Sequence, residues 1–114
     1  MEKAIQIELT IGTGFRGDGT PISEAAQTQA LHDIDAAAAI QFGGFSRHNN
    51  WGGWHDAAGT LVVEPSVTYV ILTDQPSCNA EKLAQFARRA LQQRSVLLVV
   101  RLVEAQFISE KSHG

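Results

Sequence analysis

The sequence predicts one α+β domain in which two helices cover one face of a four-stranded antiparallel sheet. Three observations point there. Residues 4 to 11 alternate strictly, with Ile5, Ile7, Leu9 and Ile11 on one side and Gln6, Glu8 and Thr10 on the other. Two segments place apolar residues at helical spacing: Leu31, Ile34, Ala38 and Phe42, then Leu83, Phe86, Ala87, Ala90 and Leu91. Between and after them lie long runs rich in Val, Ile, Thr and Tyr.

Taken in chain order, a first strand over 4–11 leads into a glycine-rich loop, Gly12 to Thr20. Thr20-Pro21 or Ser23 then caps a helix, with Glu24 suited to its positive first turn and Gly43-Gly44 ending it. Phe45 to Asp56 reads as a glycine-interrupted strand, and Asp56-Ala57-Ala58-Gly59 is a tight-turn sequence. Thr60 to Thr73 follows as the return strand of a hairpin, with Pro65 marking an edge or irregular pairing. Ser77 or Asn79 is expected to cap the second helix. Ser95 to Ser109 forms the last strand, with an apolar "VLLVV" followed by polar Arg101, Glu104 and Gln106. The order β-α-β-β-α-β is the split βαβ, or ferredoxin-like, arrangement. The domain is expected to span 1–109, with a frayed tail over 110–114.

Bulk composition narrows the function. A chain of 114 residues, 44% hydrophobic and 18% charged with net charge −3, is long enough to bury a core without covalent staples. The absence of a Lys/Arg block argues against nucleic acid or an anionic membrane as partner. A single cysteine, Cys78, rules out an internal disulfide and the usual thiolate zinc sites. The opening "MEKAIQIELT" is strand-like rather than a signal peptide, and a cytoplasmic location is expected.

Gly12-Thr13-Gly14-Phe15-Arg16-Gly17 spells the G-x-G-x-x-G string of dinucleotide-binding loops. Three requirements of that site fail. Asp18-Gly19-Thr20-Pro21 intervenes before any helix, Asp33 and Asp35 fall inside a helix instead of at a strand end, and the first strand is polar on one face. The loop is read as a flexible β-to-α connection able to act as a flap.

Chemistry is expected on the polar sheet face. Strand parity gathers Gln6, Glu8 and Thr10 with Glu64, Ser66, Thr68 and Arg101. Glu8, Glu64 and Arg101 then form an ion-pair network, an anion clamp or an acid/base site. A second concentration, "FSRHNNWGGWHDAAG", packs Arg47, His48, Trp51, Trp54, His55 and Asp56 into ten positions. Its indoles, imidazoles and guanidinium suit a planar or anionic ligand, or else cover a sheet end or subunit interface. A metal held by His48, His55 and Asp56 is disfavoured, because residues seven apart face opposite sides of a strand. His32 and His113 add nothing, Cys78 lacks a positioned base, and Ser66 lacks a nucleophile-elbow context.

The expected ligand-binding set is therefore Glu8, Arg47, His48, Trp51, Trp54, Glu64 and Arg101, with His48, His55 and Glu64 as acid/base candidates and no cofactor or metal. Such a chain would be a homo-oligomer, most simply a dimer, binding a small molecule or a partner over the open sheet face. The alternative is a small cofactor-independent isomerase or lyase using a His/Glu pair.

"ELTIGTGFRGDGTPIS", "GGWHDAAGTLVVEPS" and "QRSVLLV" together resemble an uncharacterised bacterial family of small α/β proteins, a domain of unknown function. The resemblance rests on Gly12, Gly53-Trp54, Gly59, Glu64 with Ser66, and Gln93 with Ser95-Val96, loosely spaced over residues 8 to 108. Where the family usually turns on an Arg-Phe-Pro segment, this chain has "QFGGFS". The resemblance implies the ferredoxin-like fold and carries no activity with it.

Overall fold

The computed structural model describes residues 2–110. Its elements are β1 (Glu2–Gly12), α1 (Glu24–Phe42), β2 (Ser46–His55), β3 (Leu61–Thr73), α2 (Ser77–Ala90) and β4 (Leu97–Ala105). They form one antiparallel sheet in the order β2-β3-β1-β4. This is the expected ferredoxin-like β-α-β-β-α-β fold. Of the expected tail, 111–114, which includes His113, lies outside the described residues.

Period two along β1 decides which face is covered. Ile7, Leu9 and Ile11 are fully buried and pair with Ile71, Tyr69 and Val67 of β3. Ala30, Ile34 and Ala38 of α1 and Ala80, Leu83, Ala84 and Ala87 of α2 close over them, together with Leu91. Each large side chain taken from water there contributes about 1.5–3 kcal/mol. The small alanines let the helices approach the sheet closely. Phe86, expected in the core, is 39% exposed instead. The buried stripe of α2 runs through Ala80 and Ala84, one helix position away from it.

Local signals set most boundaries. Ser23 caps α1, its hydroxyl accepting from the Ala26 amide at 3.1 Å, and Gly43 ends the helix at φ 85°, a left-handed conformation costly for other residues. The β2–β3 turn closes on Gly59 at φ 81°, with Asp56 Oδ1 accepting from Ala58 and Thr60 amides. For α2 the expected cap differs. Pro76 occupies the N-cap without a side-chain bond, and Ser77 and Asn79 lie in the first turn, where Asn79 donates to Gln75. β4 is shorter than the expected 95–109: its pairing with β1 runs only from Thr10↔Leu97 to Glu2↔Ala105.

β2 and β3 outrun β1. The last β1–β3 pair is Gly12↔Ser66, while β2 and β3 remain paired as far as His55↔Leu61. The result is a two-stranded ribbon projecting from a molecule 62 Å long and 27 Å wide. Pro65 sits one step beyond that last pair, where its carbonyl accepts from Thr13 N at 2.9 Å. Its missing N–H faces the same side, so no ladder bond with β2 is lost.

One polar cluster ties α1 to the sheet. Tyr69, in the core, donates its hydroxyl to Asp35 Oδ1 at 2.6 Å, and Arg47 Nη1 donates to both Asp35 oxygens at 2.9 and 2.8 Å. Burial, reinforced by the Asp35 carboxylate, pushes the Tyr69 phenol well above its ordinary value of 10.0. A folded value above the unfolded one contributes stability that is present below about pH 10 and lost as pH rises further, at about 1.4 kcal/mol per pH unit. Tyr69 is the only tyrosine, so phenolate absorbance reads it alone. The folded protein should show no phenolate at pH 10, and Tyr69→Phe should flatten the alkaline fall in denaturation free energy. Phenolate appearing at the ordinary pH in folded protein would refute the clamp.

Candidate functional site at Glu64

The glycine-rich loop is pinned, contrary to the flap expected from its composition. Phe15 bridges Pro21, Arg16 N donates to Thr20 O, Gly17 N donates to Gln92 O, and Ile22 N donates to Gly14 O. Asp18 accepts from both the hydroxyl and the amide of Thr20, at 2.6 and 2.9 Å, and these bonds hold its carboxyl below the usual range.

The loop's main role is to hold a carboxylate. Glu64 Oε2 accepts from the amides of Gly14 and Phe15, at 3.2 and 3.1 Å. Glu64 is only 8% exposed, and no cation pairs with it among the described residues. Its other oxygen, Oε1, points at Gly12. A methyl group built on Gly12 would sit 2.7 Å from Oε1 and 3.2 Å from Gln93 Oε1, and one on Gly14 would meet Glu64 Oε2 at 3.2 Å. Gln93 donates to Phe15 O at 2.7 Å and Leu91 O at 3.0 Å, fixing the far wall. Gly17 is equally constrained, with Arg94 Cγ 2.7 Å from its missing Cβ. The glycine string is thus explained by close approach of a carboxylate and a neighbouring turn.

The other sequence-derived candidates spread over two faces. Glu8 pairs with Arg101 at 3.0 Å on the open face and accepts from Gln6 Nε2 at 3.2 Å. Glu64 shares that face by register but lies six residues along β3 from Val70, the partner of Glu8, about 20 Å away. The carboxylate pair around one arginine therefore does not form within a chain. His48 faces the same side opposite Thr68, about 14 Å along β2 from Gly52, which pairs with Glu64. Trp54 faces that side farther out on the ribbon, opposite Val62. Arg47, Trp51 and His55 take the opposite parity, with Arg47 committed to Asp35. Among the described residues no three of His, Cys, Asp and Glu come together in a metal-holding group.

The open face is less hydrophilic than its β1 residues suggest. Thr10, Thr68 and Asn50 form a hydrogen-bonded ladder across three strands, at 2.9 and 2.6 Å. Beside it Val70, Leu72, Leu97, Val99 and Val103 carry apolar side chains on the same parity. Sequence reasoning singled out Glu64 but not the Gly14 and Phe15 amides that hold it. Gln93 entered only through the family resemblance.

Fold comparison gives solved structures of similar architecture. A phage SAM lyase in complex with S-methyl-5'-thioadenosine is similar over 93% of each chain, with TM-score 0.65 and 18% identity. A phage SAM lyase in the apo state gives TM-score 0.64 and 18% identity over 96% of this chain and 98% of the other. The periplasmic divalent cation tolerance protein CutA from Archaeoglobus fulgidus follows at TM-score 0.56 and 6% identity, over 93% of this chain and 88% of that one. At such identities the likeness establishes the fold. No family model and no curated protein matches the chain.

Crowding at Gly12 makes a direct prediction. Gly12→Ala should displace the Glu64 carboxylate and lower stability by about 1–3 kcal/mol in chemical denaturation. Gly52→Ala, whose added methyl meets nothing closer than Ser66 Oγ at 3.9 Å, should change it little. Equal effects at the two positions would show that close approach is not what Gly12 provides.

Proposed function

We propose that the chain is a small cofactor-independent lyase whose reaction centre is Glu64. The observation that carries this reading is a nearly buried carboxylate with one oxygen fixed by two backbone amides, the other left free, and no counter-cation. Two amides satisfy Oε2, and the free oxygen leaves a place for a ligand of opposite charge. A small sulfonium, the substrate class named for the phage lyase of similar fold, is such a ligand. In an eliminative cleavage the carbon–sulfur bond breaks with its electron pair passing to sulfur, which leaves as a neutral thioether. The Glu64 free oxygen takes the proton lost from the carbon fragment, whose C–H pair becomes the new π bond. Fixing Oε2 holds Oε1 in place for that transfer.

The same reading includes assembly. The uncovered sheet face, half apolar beside β1, and the ribbon carrying Trp54 suit closure by a second copy of the chain. A binding role without turnover is the second reading. The Thr10–Thr68–Asn50 ladder favours it, since it presents polar groups on a face no element of the chain covers.

One assay separates the readings. Incubation with S-adenosylmethionine should release S-methyl-5'-thioadenosine, and Glu64→Gln should lower the rate at least a hundredfold while the far-UV spectrum stays unchanged. Thermal stabilisation by the substrate that survives in Glu64→Gln, with no turnover in either protein, would instead support binding alone. Absence of both would overturn the Glu64 assignment.

Assembly has its own check. Native mass spectrometry should show a homo-oligomer, and Trp54→Ala should shift it toward monomer. A monomeric parent protein would remove the proposed closure of the sheet.

A further inference from the structure

On the side of the ribbon away from Glu64 the structure leaves a recess beside the N-terminal half of α1. It has a volume of about 300 Å³, at the lower end of the range for small-molecule sites and enough for one ring system. Its floor is Leu31, Pro65 and Val67, and its rim carries Trp51, Asn49 and Gln27. Register puts Asn49 and Trp51 on the helix-covered parity, opposite Val67 and Pro65. On that parity the helices seal Ile7, Leu9 and Ile11 of β1 and Val67, Tyr69 and Ile71 of β3, whereas Trp51 is 74% exposed, like Leu61 and Val63 farther out on the ribbon.

The polar groups at the rim are unevenly used. Gln27 spends its Nε2 on Ile22 O at 3.2 Å, and its amide oxygen makes no hydrogen bond among the described residues. Asn49 is exposed and makes no side-chain hydrogen bond among them either. The recess thus combines an indole face for stacking, an aliphatic floor, and two amides offering both donor and acceptor atoms. No charged side chain lines it.

We propose that this recess binds an uncharged flat heteroaromatic ring, of nucleobase size, whose edge carries neighbouring hydrogen-bond donor and acceptor atoms. The ring stacks on Trp51, and the Asn49 and Gln27 amides read its edge. Stacking on an indole suits any such ring, because every base has a π-face. The site lies across the ribbon from Glu64 and does not rest on the lyase reading.

Trp51 fluorescence tests it, in a Trp54→Phe background where it is the only tryptophan. Adenine and cytosine should each quench the emission saturably, whereas an aliphatic carboxamide should not. Asn49→Ala and the recess-filling Leu31→Phe should each weaken binding at least fivefold, and Glu64→Gln should leave it unchanged. Asn49→Ala keeps the test decisive should Leu31→Phe disturb the core it packs against, because Asn49 is exposed. Non-saturable quenching, or binding insensitive to both recess variants, would overturn the proposal. Binding abolished by Glu64→Gln would overturn it too, by assigning the ring to the other site. If Trp51 emission responds only to protein concentration, the recess is covered by a second copy and the proposal fails.

Discussion

Everything in this molecule depends on one-sided burial of β1. Three aliphatic side chains two residues apart, Ile7, Leu9 and Ile11, are removed from water entirely, and the strand pairs on both edges. A shift of one residue would send Gln6, Glu8 and Thr10 under the helices and put the aliphatics in water, so register is specified strongly. From that register follow the identity of the open face and the point where β1 ends. Where β1 ends, the loop takes over as neighbour to β3, and its amides fall beside Glu64.

The elements were legible because each rested on a local signal. Period two marked β1, Ser23 and Gly43 bracketed α1, and Gly59 marked the hairpin turn. Errors arose where local signals competed. Ser77 and Asn79 both read as caps, yet the chain enters α2 at Pro76. Phe86 lay on a plausible apolar stripe, but packing against β1 and β4 selects the narrower alanines.

The site was legible in its residues and not in its connections. Glu64 and the glycines each stood out, but their contact spans some fifty positions and depends on how far β1 reaches before β3 loses it as a neighbour. Arg47 is the converse case. Grouped with two tryptophans and two histidines it looked like ligand lining, whereas its odd position places it beside Tyr69 and its charge goes to Asp35 on α1. Composition marked a crowded segment, and strand alternation divided it between two faces.

The pairing of Glu2 with Ala105 also has a practical side. The start of β1 and the end of the edge strand β4 lie side by side, and Gly12 lies about 34 Å away along β1. A handle joined at either end, whether a fluorophore, a bead or a second domain, would therefore hold the molecule by its tail, leaving the carboxylate and the projecting ribbon turned outward into solution.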